Sequence, residues 1–312
     1  MATQTRHRVV ERLLDVVLAP HSPAETAYRS VVLAPGFRAE PGLDLRYLGG
    51  KTIPRLAFTD VYLGSWDAAE RTRLDGAIAA TMADPHLNNV LAQYFPGDTV
   101  GSTFAGSHSH PGPVPPRVYR DTIEAIVSEL DRGDALAGLD LGASAVCLLL
   151  PEGAVLVDGN SGDPGEHVDS THGLGGYHGS VHVRRGRRGR EAVYYAVAVY
   201  SKDANGVVAF AEPWQNVCAT LYHELCEIRT DPDVEDAIRA GATPGAERLL
   251  GWYSPHGGEI GDVPMAEAQG MVDLVMKEVP LADGSGTVPI QLMWSNAVAG
   301  PEGPISRPHA RR

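Results

Sequence analysis

Residues 213–232 read PWQNVCATLYHELCEIRTDP, and this stretch predicts a helix that begins at Pro213 and continues through Arg229. Proline suits the first turn of a helix, where its missing N–H would have no partner in any case. His223 and Glu227 are four residues apart, so their side chains lie one turn from each other on the same face. A second flank, roughly 135° away on an ideal helical wheel, consists of apolar residues: Val217, Leu221, Leu225 and Ile228. We therefore expect one flank to pack on a core and the other to face a cleft.

His223 and Glu227 can together hold one divalent cation while the backbone between them keeps its helical hydrogen bonds. Glu224 is turned by roughly 100° from His223, which lets it address a water molecule beside the cation instead of the cation. The motif is similar to that of the HExxH zinc peptidases, with a carboxylate in place of the second histidine. The carboxylate makes the site harder and more anionic than two histidines would. We expect zinc, with manganese or iron as alternatives.

A site that holds one cation needs a third protein ligand, and three acidic residues further along the chain are candidates. Glu259 lies 32 residues after Glu227, inside the distance at which one class of long-helix peptidases places its third carboxylate. Asp262 follows in the same GGEIGD segment. Asp233 lies ten residues after His223, the spacing of the compact class that ends HExxHxxGxxH/D, but the turn glycine of that class is missing here. We prefer Glu259, then Asp262, then Asp233.

Other histidines lie in glycine-rich sequence. His178 has glycines close on both sides, which allows the backbone to approach a ligand and the imidazole to enter a cleft. We predict that His178 is a catalytic group beside the cation, either as a donor that stabilises the transition state or as a residue that supports the metal ligands from behind. The alternative is a histidine whose ring nitrogens are satisfied by neighbouring carbonyl groups. We favour that alternative for His172, and we expect His108 and His110 to be solvated in a loop.

The hydrophobic patterns along the chain are typical of an α+β protein, with strands in the middle and helices on either side. In chain order we predict a strand ending at 63, helices over about 67–82 and 85–94, a long loop over 96–116, a helix from 116, a hairpin of strands 144–150 and 154–157, strands 177–183, 191–200 and 207–210, and a strand at 290–294. One continuous domain with a central mixed or antiparallel sheet is the expected architecture.

Islands of sequence between about residues 45 and 300 resemble one known family. Residues 222–232, 251–253 and 258–262 are similar to the HELxExxTDP…GW…GEIGD pattern of bacterial proteins that are grouped with the plant phosphate-induced (exordium) proteins. Residues 61–66, VYLGSW, resemble the YxGxW opening of that group. Residues 176–180, GYHGS, resemble its central histidine-glycine motif.

The resemblance implies a zincin-like metallopeptidase helix and site. It implies that His223 and Glu227 bind the metal, that Glu224 is the general base, and that Glu259 or Asp262 completes the ligand shell. The plant members of the group lack the HExxE helix and are secreted, so the resemblance says less about the reaction than about the site.

The resemblance also divides the chain into three parts. We expect an N-terminal extension over residues 1–45, a zincin-like α+β domain with the metal-site helix over residues 46–300, and a Pro-rich C-terminal tail over residues 301–312.

The composition excludes several classes of partner. The 312 residues include 26 Lys and Arg against 39 Asp and Glu, which gives a net charge of −13. Nucleic acids and anionic membranes need a concentrated positive surface, so we expect neither as a partner. The first 20 residues are charged where a signal peptide would be apolar, and three cysteines cannot form a disulfide framework. We expect a cytoplasmic protein.

These observations together predict a metal-dependent hydrolase that acts on a peptide or small amide substrate. Two alternatives stay open at this point. One is a non-catalytic, exordium-like binding protein in which the same residues hold a structural metal. The other is a metalloenzyme of different chemistry, such as an oxygenase, for which two carboxylates and one histidine form a suitable ligand set. The sequence does not indicate an oligomeric state.

Overall fold

A five-stranded sheet forms the centre of the fold. The computed structural model describes residues 33–133, 135–163, 167–184, 189–241 and 243–309. In spatial order the strands are β3 (Gly101–His110), β2 (Arg55–Leu63), β5 (Ser144–Leu149), β8 (Arg190–Ala198) and β7 (Gly176–Arg184). Neighbouring strands are parallel, except that β7 runs antiparallel to β8 at one edge. The prediction of an α+β protein with a central mixed sheet is confirmed.

The central strand β5 shows why the sheet is covered on both faces. All six of its residues, SAVCLL, are buried, and a continuous apolar run is typical of a strand that lies between two layers. Cys147 and Leu149 belong to one hydrophobic core, whereas Val146 and Leu148 belong to another. Because side chains alternate along the strand, β5 contributes to both hydrophobic cores.

Helices cover both faces of the sheet. Within the described ranges the helices are α1 (Ala68–Ala83), α2 (Pro85–Leu91), α3 (Arg120–Arg132), α4 (Pro213–Thr230), α5 (Val234–Ala240) and α6 (Asp262–Glu267). Apolar residues of α1 and α4 join the core that contains Cys147, and those of α3 join the core that contains Val146. No helix in this part of the chain combines the length and apolarity that crossing a bilayer requires.

Short two-stranded sheets complete the structure. They pair β1 (Arg46–Tyr47) with β9 (Trp252–Tyr253), β4 (Arg117–Val118) with β6 (Val155–Leu156), β10 (Met276–Pro280) with β11 (Thr287–Gln291), and β12 (Met293–Ser295) with β13 (Gly300–Glu302). The Ala34 N–H donates to the Pro301 carbonyl at 3.2 Å, and the Glu40 N–H donates to the Ala299 carbonyl at 2.8 Å. Residues 1–32 of the predicted extension and 310–312 of the predicted tail lie outside the described residues.

Two sequence predictions about the sheet are wrong. The predicted loop over 96–116 contains β3, an edge strand of mostly small polar residues and glycine, whose register is set by parallel pairing with β2. The predicted hairpin of 144–150 and 154–157 does not form, because β5 pairs in parallel with β2 and β8 while β6 pairs with β4. A strand that is buried on both faces pairs with a long strand on each side. Its partners are therefore not necessarily the strands next to it in sequence.

Two further boundaries differ from the predictions. The helix expected from Pro116 begins at Arg120, because Arg117 and Val118 pair with β6. Residues 207–210 do not form a strand. The Asn216 side chain accepts hydrogen bonds from the N–H groups of Ala209 and Phe210, so these groups are satisfied without a neighbouring strand.

Candidate metal centre

Helix α4 carries the centre and is buried along most of its length. Every residue from 216 to 230 is buried except His223, which is partly exposed. The prediction of a helix from Pro213 through Arg229 is confirmed, and Glu227 on its polar flank is buried, whereas His223 is partly exposed. Strands β7, β8 and β11 and helix α1 pack around it. The carboxylates of Glu224 and Glu227 are thereby held in a low-dielectric interior.

His223 lies close to the carboxylates of Glu224, Glu227 and Asp262. Its Nε2 atom lies 3.1 Å from Glu227 Oε2, 3.8 Å from Asp262 Oδ1 and 4.0 Å from Glu224 Oε1. Its Nδ1 atom lies 2.9 Å from Gln291 Oε1. Gln291 in turn donates from Nε2 to the Gly261 carbonyl at 2.6 Å, which fixes Oε1 as the acceptor for His223. Nδ1 therefore carries a proton. Burial lowers the pKa of His223, but Glu227 and Glu224 outweigh burial and raise it, so without a cation Nε2 is protonated as well, and a cation would take the place of that proton.

Gln291, which is buried at the end of β11, is a residue of the centre that the sequence did not predict. It lies 68 residues from His223 along the chain. Nothing in the local sequence distinguishes it from another polar strand residue, and only the packing of β11 against α4 reveals its role.

Glu227 is held by backbone on one oxygen and faces the histidines with the other. Its Oε1 atom accepts hydrogen bonds from the N–H groups of Gly261 and Asp262, each at 3.2 Å, at the beginning of α6. Its Oε2 atom lies close to His223 Nε2 and 3.4 Å from His178 Nδ1. Burial alone would raise the pKa of Glu227, but His223 and His178 outweigh burial and lower it. Glu227 is therefore ionised.

His178 reaches the centre from β7. Side chains alternate along a strand, so His178 faces α4 while its neighbour Tyr177 packs into the core on the other side of the sheet. Its Nδ1 atom lies 3.3 Å from Glu224 Oε2, and its Nε2 atom lies 3.6 Å from Glu259 Oε1. Only 4% of the His178 side chain is exposed. His178 thus lies behind the two glutamates of α4 and not at the surface of the cavity.

The three candidates for the third ligand lie in different places. Asp262 faces His223 with Oδ1, and its Oδ2 atom accepts a hydrogen bond from the Glu259 N–H. Glu259 contacts His178. Asp233 accepts a hydrogen bond from the Tyr194 hydroxyl at 2.9 Å. The structure therefore brings His223, Glu227 and Asp262 together and places Glu259 with His178.

The pKa values of the other carboxyl groups show an excess of negative charge. Burial raises the pKa of Glu224, and burial followed by repulsion from Glu227 raises that of Glu259. Repulsion from Glu227 raises the pKa of Asp262 to about 6, even though the Asp262 side chain is 53% exposed. Carboxylates that repel one another in a buried space are stabilised by a cation placed between them.

A cavity of about 170 Å³ opens beside α4. His223, Glu224, Asp262 and Gln291 line it, together with the glycine-rich segment 173–176. Glu224 thus reaches the same space as His223 and Asp262. Gly176 leaves room for Glu224, because a Cβ atom at that position would lie 3.1 Å from Glu224 Oε1.

The arrangement fits a divalent cation. Two ligand atoms of a tetrahedral zinc ion, with bonds of about 2.0–2.2 Å, lie about 3.3–3.6 Å apart. The separations from His223 Nε2 to Glu227 and Asp262, 3.1 and 3.8 Å, and from His178 Nε2 to Glu259, 3.6 Å, are close to this size. Two groups of potential ligands have all their donor atoms within 4.8 Å of one another: His223, Glu224 and Glu227, and His178, Glu227 and Glu259.

Comparison of the chain with models of protein families, with curated proteins and with solved structures finds no match. The geometry of the centre is therefore the basis for a functional assignment.

Proposed function

We propose that the protein is a metal-dependent hydrolase that cleaves an amide bond in a peptide or small amide substrate. The observation that carries the proposal is the convergence of His223 Nε2, Glu227 Oε2 and Asp262 Oδ1 beside a cavity that Glu224 also lines. A metal-binding group and a carboxylate base that share one cavity are the two parts that hydrolysis of an amide requires.

His223, Glu227 and Asp262 would hold the cation, with zinc preferred and manganese or iron as alternatives. A divalent cation at such a site acidifies water and polarises a carbonyl oxygen. Gln291 keeps the proton of His223 on Nδ1, so that Nε2 stays available as a ligand. The backbone N–H groups at the beginning of α6 hold Glu227 in place.

Glu224 would be the general base. Burial raises its pKa, which makes it a more effective proton acceptor. Glu224 takes a proton from the attacking water and later returns it to the leaving amine. His178 Nδ1, 3.3 Å from Glu224 Oε2, restrains the carboxylate. Because His178 is buried behind Glu224, we propose a positioning role for it and no direct stabilisation of the transition state.

The zincin-like character of the domain and the resemblance to the exordium group remain part of this proposal. The support for them is that the HELCE segment forms a buried helix, that this helix packs on a mixed sheet, and that the GEIGD segment meets its His and Glu.

A binding protein with a structural metal is the second candidate. The observation that favours it is the burial of the centre, since the side chains of Glu224 and Glu227 are only 5% and 4% exposed. A structural site has a closed ligand shell, whereas a catalytic site keeps one position open to substrate. Glu224 decides between the two, because a base is needed only for catalysis. Bound iron, together with consumption of dioxygen, would instead indicate the oxygenase alternative.

The test combines metal analysis with a search for hydrolysis. We expect the purified protein to contain a stoichiometric divalent metal and to cleave members of a peptide and amide library, with products identified by mass spectrometry. Glu224→Gln should keep the metal and lose turnover. Asp233→Asn removes an acid that lies with Tyr194, so it serves as a control that keeps both.

Two outcomes would overturn the proposal. If the His223→Ala and Asp262→Asn variants both kept the full metal content, His223 and Asp262 would not be metal ligands. Unchanged hydrolysis in Glu224→Gln would remove Glu224 from the reaction.

A further inference from the structure

A group of buried polar atoms lies behind the site at His223. His178 Nε2 and Glu259 Oε1 have no hydrogen-bond partner within the described part of the chain. Both residues are 6% exposed. The two atoms are 3.6 Å apart, which is too far for a hydrogen bond between them. Leaving such groups unsatisfied in a protein interior is costly, so their arrangement requires an explanation.

The surroundings of His178 and Glu259 are strongly acidic. Asp231, at the end of α4, is fully buried, and its Oδ2 atom also lacks a hydrogen-bond partner among the residues that the structure describes. Its Oδ1 atom accepts a hydrogen bond from the Gly251 N–H at 2.8 Å. Glu227 lies on the other side of His178. One imidazole carries at most one positive charge and cannot pair with three buried carboxylates, so the remaining carboxyl groups take up a proton or coordinate a metal.

We propose that His178, Glu227 and Glu259 form a second cation site, which shares Glu227 with the site at His223. One donor atom from each of the three residues lies within 4.8 Å of the other two. Glu227 Oε2 lies 3.1 Å from His223 Nε2 and 3.4 Å from His178 Nδ1, so it contacts both histidines, while His178 Nε2 faces Glu259. The shared ligand makes this inference rest on the proposed function, but the experiments below separate the two.

The donor set determines which cation fits. One imidazole and two carboxylates suit zinc, manganese or iron and are poor ligands for soft cations such as copper(I). The residues are more buried than His223 and Asp262, so the ion is enclosed. The cation would neutralise Glu259 and Glu227. It would also give His178 Nε2 and Glu259 Oε1, the two atoms without a hydrogen-bond partner, a ligand bond. The competing explanation is a protonated His178 that forms ion pairs with the three glutamates, without an ion.

Metal stoichiometry distinguishes these explanations. The full-length protein is stripped with a chelator and reloaded with Zn²⁺, and the bound ions are counted by native mass spectrometry. We expect two ions per chain for the wild type and for the control Asp233→Asn. We expect one ion for His178→Gln, one for Glu259→Gln and one for His223→Ala. The double variant His178→Gln with His223→Ala should bind none.

The pattern of losses separates this inference from the proposed function. A single ion in the wild type that His178→Gln and Glu259→Gln retain, and His223→Ala loses, would overturn the second site and leave the proposed function intact. Two ions that His223→Ala retains would overturn the proposed function instead. One ion that only the His178 and Glu259 variants lose would show that the buried site alone exists.

A spectroscopic experiment on the wild type requires no variant to fold. The protein is loaded with Mn²⁺ and examined by electron paramagnetic resonance. Two Mn²⁺ ions that share the Glu227 carboxylate are exchange-coupled, so the spectrum of the fully loaded protein should differ from the six-line signal of isolated Mn²⁺. An unperturbed six-line signal that grows linearly up to saturation would overturn the shared site.

Discussion

Replacement of Gln291 by methionine tests whether His223 is a metal ligand through Nε2. Methionine fills a similar volume but cannot accept the proton of His223 Nδ1 or donate to the Gly261 carbonyl, the two contacts that Gln291 makes at 2.9 and 2.6 Å. In Gln291→Met the ring is no longer held in the Nδ1–H form. The other tautomer carries its proton on Nε2, toward Glu227, where a cation cannot bind.

The size of the effect follows from the contacts that are lost. Removal of a group that hydrogen-bonds a metal-ligating histidine typically lowers metal affinity 10- to 100-fold, or about 1.4 to 2.7 kcal/mol. Gly261 also loses a partner for its buried carbonyl, so we expect the metal-free protein to lose about 1–3 kcal/mol of stability. The variant should therefore fold less stably and bind zinc more weakly.

The assay must separate these two effects. Zinc affinity is measured by competition with a chromophoric chelator, and stability is measured by denaturant unfolding of the metal-free protein. Gln93→Met is the matched control. Gln93 is a partly buried glutamine outside the centre; its amide group donates to Val90 and Ser295 and accepts from Ala297. Gln93→Met should lose stability but keep its zinc affinity. Wild-type zinc affinity in Gln291→Met, or an equal loss in both variants, would refute the reasoning.

Three other perturbations have defined outcomes. Gly261→Ala should weaken zinc binding at least tenfold, because a Cβ atom there would lie 2.5 Å from His223 Nδ1; Gly76→Ala in α1, where the space is open, should instead raise stability by up to about 1 kcal/mol. Asp60 is fully buried, and burial followed by repulsion from Asp75 raises its pKa well above 3.8; its contribution to stability is present below pH 3.8 and is lost as the pH rises through the folded-state pKa. The asparagine of Asp60→Asn cannot ionise. Between pH 5 and pH 8 the free energy of unfolding, measured with denaturant, should therefore fall less in this variant than in the wild type. Removal of metal by chelation should lower the melting temperature, since a ligand present at about 1,000 times its Kd stabilises by about 4 kcal/mol, and an unchanged melting temperature would contradict a metal centre.

The elements that the sequence predicts correctly are those with local signals. Asp67 begins α1, and its side chain accepts hydrogen bonds from the N–H groups of Ala69 and Glu70. Pro213 begins α4, where Glu212 and Gln215 form a reciprocal capping box. Such signals lie within a few residues of the boundary that they determine, so a single sequence is enough to place it.

The pairing of strands is not local, and the sequence predicts it poorly. Strand β3 contains a glycine with φ of 102°, Gly106, and few apolar residues, so its pattern indicates a loop. It becomes a strand because it pairs in parallel with β2. The register of the pair shifts between Phe58 and Asp60. The segment after β5 was expected to return beside it, but burial of β5 on both faces favours two long parallel partners.

The metal centre also has a local part, which the sequence predicts, and a non-local part, which it does not. His223 and Glu227 lie four residues apart on one helix, so their proximity follows from helical geometry. The positions of Glu259 and His178 depend on how residues 258–262 and β7 pack against α4, which spacing along the chain does not reveal. The candidates themselves could be named from the sequence; which of them contact each other required the structure.

The carboxylate at position 227 explains how one helix can serve two sites. An imidazole there would present a single nitrogen lone pair, whereas Glu227 anchors Oε1 on two backbone N–H groups and directs Oε2 toward two histidines. Glu227→His would restore the HExxH pattern. We expect this variant to keep one zinc ion with His223 and to lose the ion at His178 and Glu259, because a single lone pair cannot serve both. It should also lose about 1–3 kcal/mol of stability, since the N–H groups of Gly261 and Asp262 lose their acceptor. Two zinc ions per chain in Glu227→His, counted by native mass spectrometry, would show that Glu227 is not the shared ligand.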